Sequence, residues 1–228
     1  MTEAHHKKII VKIYKTLYSA FGPQNWWPGD TPFEIMVGAI LTQNTNWGNA
    51  EKAINNLKTK RSLNSKTIHK MPHKRLASLI RPAGYFNIKA ERLKNFLTFF
   101  STHYKCSIKR MNDEGTYELR EKLLDVNGIG PETADSILLY AFQRPVFVID
   151  AYTKRVLTRH KVVPGNATYH ELQDFFHVNF LPDVQLFNEY HALFVKVGKE
   201  YCRPKPRCER CPLNGITLPA LNLITEAN

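Results

Sequence analysis

Apolar positions along the chain recur mostly at helical spacing. Ile9, Ile13 and Leu17 stand at i, i+4 and i+8, and Ile10 and Tyr14 widen that stripe. Trp47, Ala50, Ile54 and Leu57 form another, and Leu93, Phe96, Leu97 and Phe100 a third. Start signals fall ahead of these stripes. Thr31-Pro32-Phe33-Glu34 reads as a capping box with proline at the first helical position, opening an apolar helix through Leu41. Asn46 reads as the cap of the next helix. Thr168 and Glu171 form a second box ahead of Leu172, Phe175 and Phe176, and Asp183 caps a long helix carrying Leu186, Tyr190, Phe194, Val197 and Tyr201. Only Pro145 to Ile149 reads as extended, too short for a sheet of its own. The pattern predicts an all-α chain with roughly nine or ten helices. Tyr14, Phe96, Phe99, Phe100, Phe175 and Phe176 are assigned to the core, and the nine histidines are scattered without metal spacing, none of them singled out as catalytic.

The segment from Leu119 to Ile149 is the most specific. Leu123-Leu124-Asp125-Val126 closes one apolar stripe, Asn127-Gly128-Ile129-Gly130 follows, and Pro131 opens a helix containing Ala134, Ile137, Leu138 and Ala141. Two helices joined by Gly-Ile-Gly make a tight hairpin, because glycine permits positive φ and close backbone approach. Amides at such a turn, next to a helix N-terminus, can bind a phosphate oxygen. A plain glycine-capped connection is the other reading. Charge sharpens the choice. The chain of 228 residues carries 32 Lys plus Arg against 20 Asp plus Glu, a net +12, which argues for a polyanionic partner and for nucleic acid first. At 43% hydrophobic residues it can bury a core.

Other classes fall away. No apolar run approaches the roughly 18 residues of a membrane helix. Lys7, Lys8, Lys12 and Lys15 interrupt any signal-like core, so the expected location is cytoplasmic, nucleoid-associated in a bacterium. Four cysteines do not make a disulfide framework, and the cluster Cys202, Cys208 and Cys211 reads as metal chemistry in a reducing compartment.

The string Val126-Asn127-Gly128-Ile129-Gly130-Pro131-Glu132-Thr133-Ala134-Asp135 resembles the helix–hairpin–helix motif of the endonuclease III superfamily of DNA glycosylases. The resemblance extends through Pro145-Val146-Phe147-Val148-Ile149-Asp150, upstream to Gly38-Ala39-Ile40-Leu41-Thr42-Gln43-Asn44-Thr45, and downstream to the cysteines. It implies an all-α, two-lobed glycosylase fold with a C-terminal cysteine loop at 201–217 and double-stranded DNA containing a damaged base between the lobes. One lobe would span 22–135 and the other 1–21 plus 136–228, in a monomer. Asp150 matches the family's catalytic aspartate. A fixed carboxylate there can stabilise the cationic sugar of N-glycosidic cleavage and activate water, although Asp150 also reads as a plain helix cap. Gln43 matches the side chain that fills the hole left by an extruded base. Asn44, Asn127, Gly128, Ile129, Gly130, Thr133, Arg203 and Lys205 are the further expected DNA contacts.

The family's bifunctional members place a nucleophilic lysine where this chain has Glu132. A carboxylate cannot form an imine, so the expectation is a monofunctional glycosylase using water, with Lys154 as the substitute amine to weigh against it. Trp26-Trp27-Pro28, with Arg81-Pro82-Ala83-Gly84-Tyr85-Phe86-Asn87 and Lys89-Ala90, resembles the 3-methyladenine glycosylases of the endonuclease III type. Electron-rich indoles attract a cationic alkylated purine more than a normal base; a hydrophobic lid is the alternative reading of the tryptophans. Another lesion with strand nicking, and a non-catalytic damage-binding protein, are the rival functions. Cys202-x5-Cys208-x2-Cys211 resembles the family's [4Fe–4S] loop, Cys-x6-Cys-x2-Cys-x5-Cys, but its first gap is one residue shorter and Thr217 stands at the fourth position. That implies a cluster on three cysteines without an evident fourth ligand, against zinc or a lost site.

Overall fold

The structure, a computed structural model, describes residues 3–216. Thr217, the position of the missing fourth cysteine, lies outside the described residues. Among the described residues there are helices and no strands. The chain divides into two units, one made of residues 27–144 and the other of the chain before Trp27 and from Pro145 onward. The sequence put these boundaries at 21/22 and 135/136. The later exit follows from packing: the segment after residue 135 stays against the central helix of the first unit.

That central helix is α2 (Pro32–Leu41), in which every residue from Glu34 to Leu41 is buried. A helix apolar on all sides belongs inside a helical layer. Here that layer consists of α3 (Trp47–Thr59), α6 (Phe86–Tyr104), α9 (Pro131–Ser136) and the π turn Ile137–Ala141. Thr31 caps α2 by accepting from the Glu34 amide at 3.2 Å. The reciprocal half of the expected box does not form. Glu34 instead pairs with Lys58 at 2.7 Å, and Lys58 also holds Asp30 at 2.7 Å. Asn46 caps α3 as expected. Short helices at α4 (Ser65–Lys70), α5 (His73–Leu79) and α7 (Ile108–Asn112) bring the described α-helices to twelve. The roughly nine or ten expected from an average length missed them because they are five to seven residues long.

The hairpin joins α8 (Thr116–Leu124) to α9. Across it Arg120 grips Asp135 with two hydrogen bonds, Nε to Oδ1 at 2.7 Å and Nη2 to Oδ2 at 3.0 Å. Asp135 is fully buried. After Ser136 the backbone widens into the π turn, all five residues of which are buried. The apolar spacing had predicted a continuous α-helix there. The widening sends successive side chains inward, and Tyr140 reaches Trp27.

In the other unit, α12 (Val184–Glu200) packs on α1 (Glu3–Phe21) and α10 (Ala151–Arg159), and α1 also meets α11 (Tyr169–Asn179). Thr168 and Glu171 form the complete capping box of α11, and Asp183 caps α12. Phe147 stacks on Phe176, and Tyr190 lies edge-on to Phe147 and Phe176. The buried Tyr190 hydroxyl donates to the Ile10 carbonyl at 2.7 Å, joining α12 to α1. Of the aromatic residues assigned to the core, Phe96, Phe100, Phe175 and Phe176 are buried, while Tyr14 and Phe99 are half-exposed.

Replacing Asp135 by alanine leaves the Arg120 side chain, 14% exposed, without the buried carboxylate that takes two of its donors. Loss of one partner of a buried pair is expected to cost about 3–5 kcal/mol, read as a lower urea midpoint at unchanged slope.

Candidate active site

Asp150 is the N-cap of α10, and its Oδ1 accepts from the Thr153 amide at 2.7 Å. Both readings of this residue are therefore compatible, since the cap uses one oxygen and leaves the other. Oδ2 points to His191 of α12, whose Nε2 is 3.6 Å away. Their side chains are 11% and 6% exposed. Burial pushes the Asp150 carboxyl up, but the His191 charge and the Thr153 amide outweigh it, and the group sits below the ordinary carboxylate range. The sign for stability follows: ionised Asp150 stabilises the fold above the unfolded-chain value of about pH 4, and that contribution is lost as acid titrates the folded-state carboxyl.

Gly198 explains how α10 and α12 come so close. A Cβ there would lie 2.5 Å from Cδ1 of Tyr152. Lys199, one residue on, holds its ammonium 5.8 Å from the centre of the Trp26 ring. Burial lowers its proton affinity and the Asp150 charge partly restores it. Lys154, the substitute amine weighed from the sequence, donates to the Ala167 carbonyl at 2.6 Å. His191 and Lys199 were both missed by the sequence reading. The available signal was that His191 lies on the buried face of the helix capped by Asp183, next to Tyr190.

The other unit holds the hairpin. Gly128 has φ +94°, whereas Gly130 is extended and caps α9 without a side chain. Asn127 and Gly130 are exposed and Ile129 is buried. Gln43, just past the end of α2, donates its amide to the Gly128 carbonyl and to Thr133 Oγ1, both at 2.9 Å. Arg92 from α6 donates to the Gln43 side-chain oxygen, and its Cγ would lie 2.3 Å from a Cβ on Gly128. Lys89, 1% exposed, donates to the carbonyls of Leu41 at 2.8 Å and Ala83 at 2.7 Å. Burial, with help from Arg92, pushes its pKa down to about 8. Asn44 is exposed at positive φ beside this lock. Glu132 is exposed on the first turn of α9. Trp27 is half-buried, 5.1 Å from Trp47 and 5.0 Å from Tyr140 between ring centres, while Pro28 is exposed.

The cysteine loop does not fit a metal as folded. No three His, Cys, Asp or Glu side chains among the described residues form a group that could hold one. Cys202 is buried and its sulfur accepts from Arg159 at 3.4 Å, while Cys208 is exposed. Burial pushes the Cys211 thiol up, the Leu213 amide pulls it down, and the neighbouring Cys202 and Cys208 push it up again. Arg155 and Arg159 of α10 instead hold the loop through the carbonyls of Gly198, Cys202, Arg203 and Pro204. Arg203 and Lys205 are exposed, as DNA contacts would need to be.

A helical hairpin tied to the end of a buried helix, and an aspartate capping the helix after it, define the class of helix–hairpin–helix DNA-repair proteins. The chain belongs to the HhH-GPD superfamily of base excision DNA repair proteins, which it matches over residues 37–180. It is 47% identical to a Methanocaldococcus jannaschii protein named as a DNA repair glycosylase, over 92% of this chain and 96% of that one. It is 28% identical to endonuclease III of Sulfolobus acidocaldarius over 78% of each chain. Among solved structures, Helicobacter pylori 3-methyladenine DNA glycosylase bound to 1,N6-ethenoadenine superposes with a TM-score of 0.73 at 32% identity, covering 84% of this chain and 97% of that one. An endonuclease III–DNA complex shares the fold, with a TM-score of 0.79 at 19% identity over 95% of each chain.

Two measurements test these geometries. Gly128→Ala forces a Cβ at positive φ into Arg92, and is expected to cost about 1–3 kcal/mol of stability, measured by urea unfolding. Elemental analysis of protein purified without oxygen is expected to give no stoichiometric iron or zinc; four irons per chain would mean that the loop rearranges around a cluster.

Proposed function

We propose that this base-excision glycosylase hydrolyses the N-glycosidic bond of alkylated purines such as 3-methyladenine, without strand nicking. The carrying observation is Asp150, a nearly buried carboxylate kept ionised, with one oxygen fixed by its helix and the other left for chemistry. As the bond to the base breaks, positive charge builds on the sugar. A preorganised anion beside the sugar stabilises that charge more than it stabilises the ground state, in which an alkylated base carries the positive charge away from the carboxylate. Asp150 also orients the water that adds to the sugar carbon. The bonding electrons leave with the base, which becomes neutral if alkylation had made it cationic, so no strong general acid is needed.

The substrate class rests on three supports. Trp26 already holds a cation against its ring, the Lys199 ammonium, so this indole face suits positive charge. No lysine stands in the family's nucleophile position, where the chain has Glu132. A 3-methyladenine glycosylase is among the relatives of similar structure at 32% identity. In this reading Trp26, Trp27 and Pro28 border the base. The turn amides of Asn127, Gly128 and Gly130 bind phosphate, as do Arg203 and Lys205, whereas the Ile129 amide is spent on the Val126 carbonyl and the buried Thr133 holds Gln43. Gln43 and Asn44 occupy the space the base vacates, and Gln43 must exchange its hairpin hydrogen bonds to do so, each worth about 1 kcal/mol. The acting species is a monomer on double-stranded DNA, and no role is assigned to a metal.

One observation favours a second reading, a glycosylase with lyase activity. Lys199 is an amine of lowered proton affinity in the electrostatic field of Asp150. The deciding experiment incubates the protein with a duplex carrying methylated purines, separates freed bases by chromatography, and runs strands with and without alkali. Freed 3-methyladenine with breaks only after alkali is expected. Breaks without alkali would give Lys199 the nucleophile's role, and no freed base would sink the alkylpurine reading. Asp150→Asn keeps a capping side chain and is expected to slow release by about 10²-fold or more. Its affinity for the duplex should be equal or higher, since one charge repelling phosphate is gone.

A further inference from the structure

We propose that His191 is the positioning residue of Asp150, and that its proton sets whether Asp150 acts at full charge; this rests on Asp150 having the role proposed above. The geometry is specific. Of the two Asp150 oxygens, Oδ1 is taken by the Thr153 amide at 2.7 Å. Oδ2 is the oxygen available to a sugar or water, and the His191 imidazole stands 3.6 Å from it. That is a charge contact rather than a full hydrogen bond, and it can tighten when substrate closes the site. His191 is 5% exposed and lies on α12, which Gly198 brings tightly against α10.

The consequence is electrostatic. What Asp150 offers a cationic sugar is its negative charge. A buried imidazolium at this distance competes for that charge, and the low local dielectric makes the competition strong. Neutral imidazole still occupies the space and fixes the carboxylate, but leaves its charge to the sugar. Tyr152 of α10 and Lys199 of α12 lie in the field of Asp150, Arg155 of α10 sits over the Tyr152 ring, and Tyr190, the neighbour of His191 on α12, meets Tyr14 of α1. Tyrosine, lysine and arginine ordinarily titrate far above neutrality, and histidine is the side chain that ordinarily titrates near it. The release rate therefore climbs with pH as His191 loses its proton and then levels off. The low pKa of Asp150 places its own titration below that range.

The test has two arms. Imidazole signals are titrated by NMR in the intact protein and in Asp150→Asn. The His191 midpoint is expected to fall in the variant, because the carboxylate no longer favours the imidazolium; an unchanged midpoint overturns the coupling. Single-turnover release from the methylated duplex is then followed against pH in the intact protein, His191→Asn and His191→Gln. The intact protein is expected to gain about tenfold per pH unit below the NMR midpoint. Both variants should lose that limb, with a lower plateau rate and an unchanged half-saturating concentration. A purely structural histidine would alter the urea midpoint and leave the limb, and that result overturns the proposal. If the intact protein releases no base, the substrate reading fails, while the NMR arm still judges the His191–Asp150 coupling.

Discussion

A helix that ends inside a protein leaves carbonyls that must find donors. Helix α2 runs through the centre of its unit, and its last residue, Leu41, is fully buried. The Lys89 ammonium meets this need, donating to Leu41 and at the same time to Ala83. A cation at a helix C-terminus also opposes the negative end of the helix dipole. With that end fixed, Thr42 and Gln43 leave the helix at a defined place, and the Gln43 amide reaches the hairpin. Arg92, one turn beyond Lys89 on α6, completes the lock from the other side of Gln43. The hairpin thus takes its position from a buried lysine as much as from its glycines.

The two units solve different problems of burial. Around Gln43 the polar groups are neutral or cationic, and Gln43, Lys89 and Arg92 donate to carbonyls, a hydroxyl and an amide oxygen. That arrangement is rigid and leaves exposed amides at the turn. Around Asp150 an anion is buried, which costs free energy unless charge or hydrogen bonds compensate. The Thr153 amide, His191 and the Lys199 field supply that compensation. The compensation is incomplete, because one oxygen faces an imidazole across 3.6 Å. A fully paired carboxylate would be inert, and an unpaired one would protonate. Asp150 lies between these limits.

Much of this was legible in the chain. The capping residues Asn46, Asp150, Thr168 and Asp183 act locally, within three residues, so sequence alone found them. The hairpin was legible for the same reason. What escaped depends on contacts distant in sequence. Glu34 left its capping box for Lys58 because a charge across the helix pair outweighed a backbone amide. The five residues of the π turn are all buried and Tyr140 among them meets Trp27, a long-range contact that no spacing rule shows. His191, 41 residues beyond Asp150, looks like any buried histidine until the fold brings the two together. The tryptophans were read as a pair, yet they divide: Trp27 packs with Trp47 and Tyr140, and Trp26 meets Lys199.

Net charge needs the same correction. The excess of +12 suggests a surface ready for phosphate, but a guanidinium already aimed at carbonyls has fewer donors to offer. Arg92, Arg120, Arg144, Arg155 and Arg159 all spend donors inside the protein, as do Lys58, Lys89 and Lys94. Their charge still contributes to the long-range field that draws in DNA. Lys205, Arg207 and Arg210 are exposed, on a loop that the α10 arginines hold through its carbonyls. Arg155 and Arg159 hold this loop through its carbonyls, and Arg159 also donates to the Cys202 sulfur.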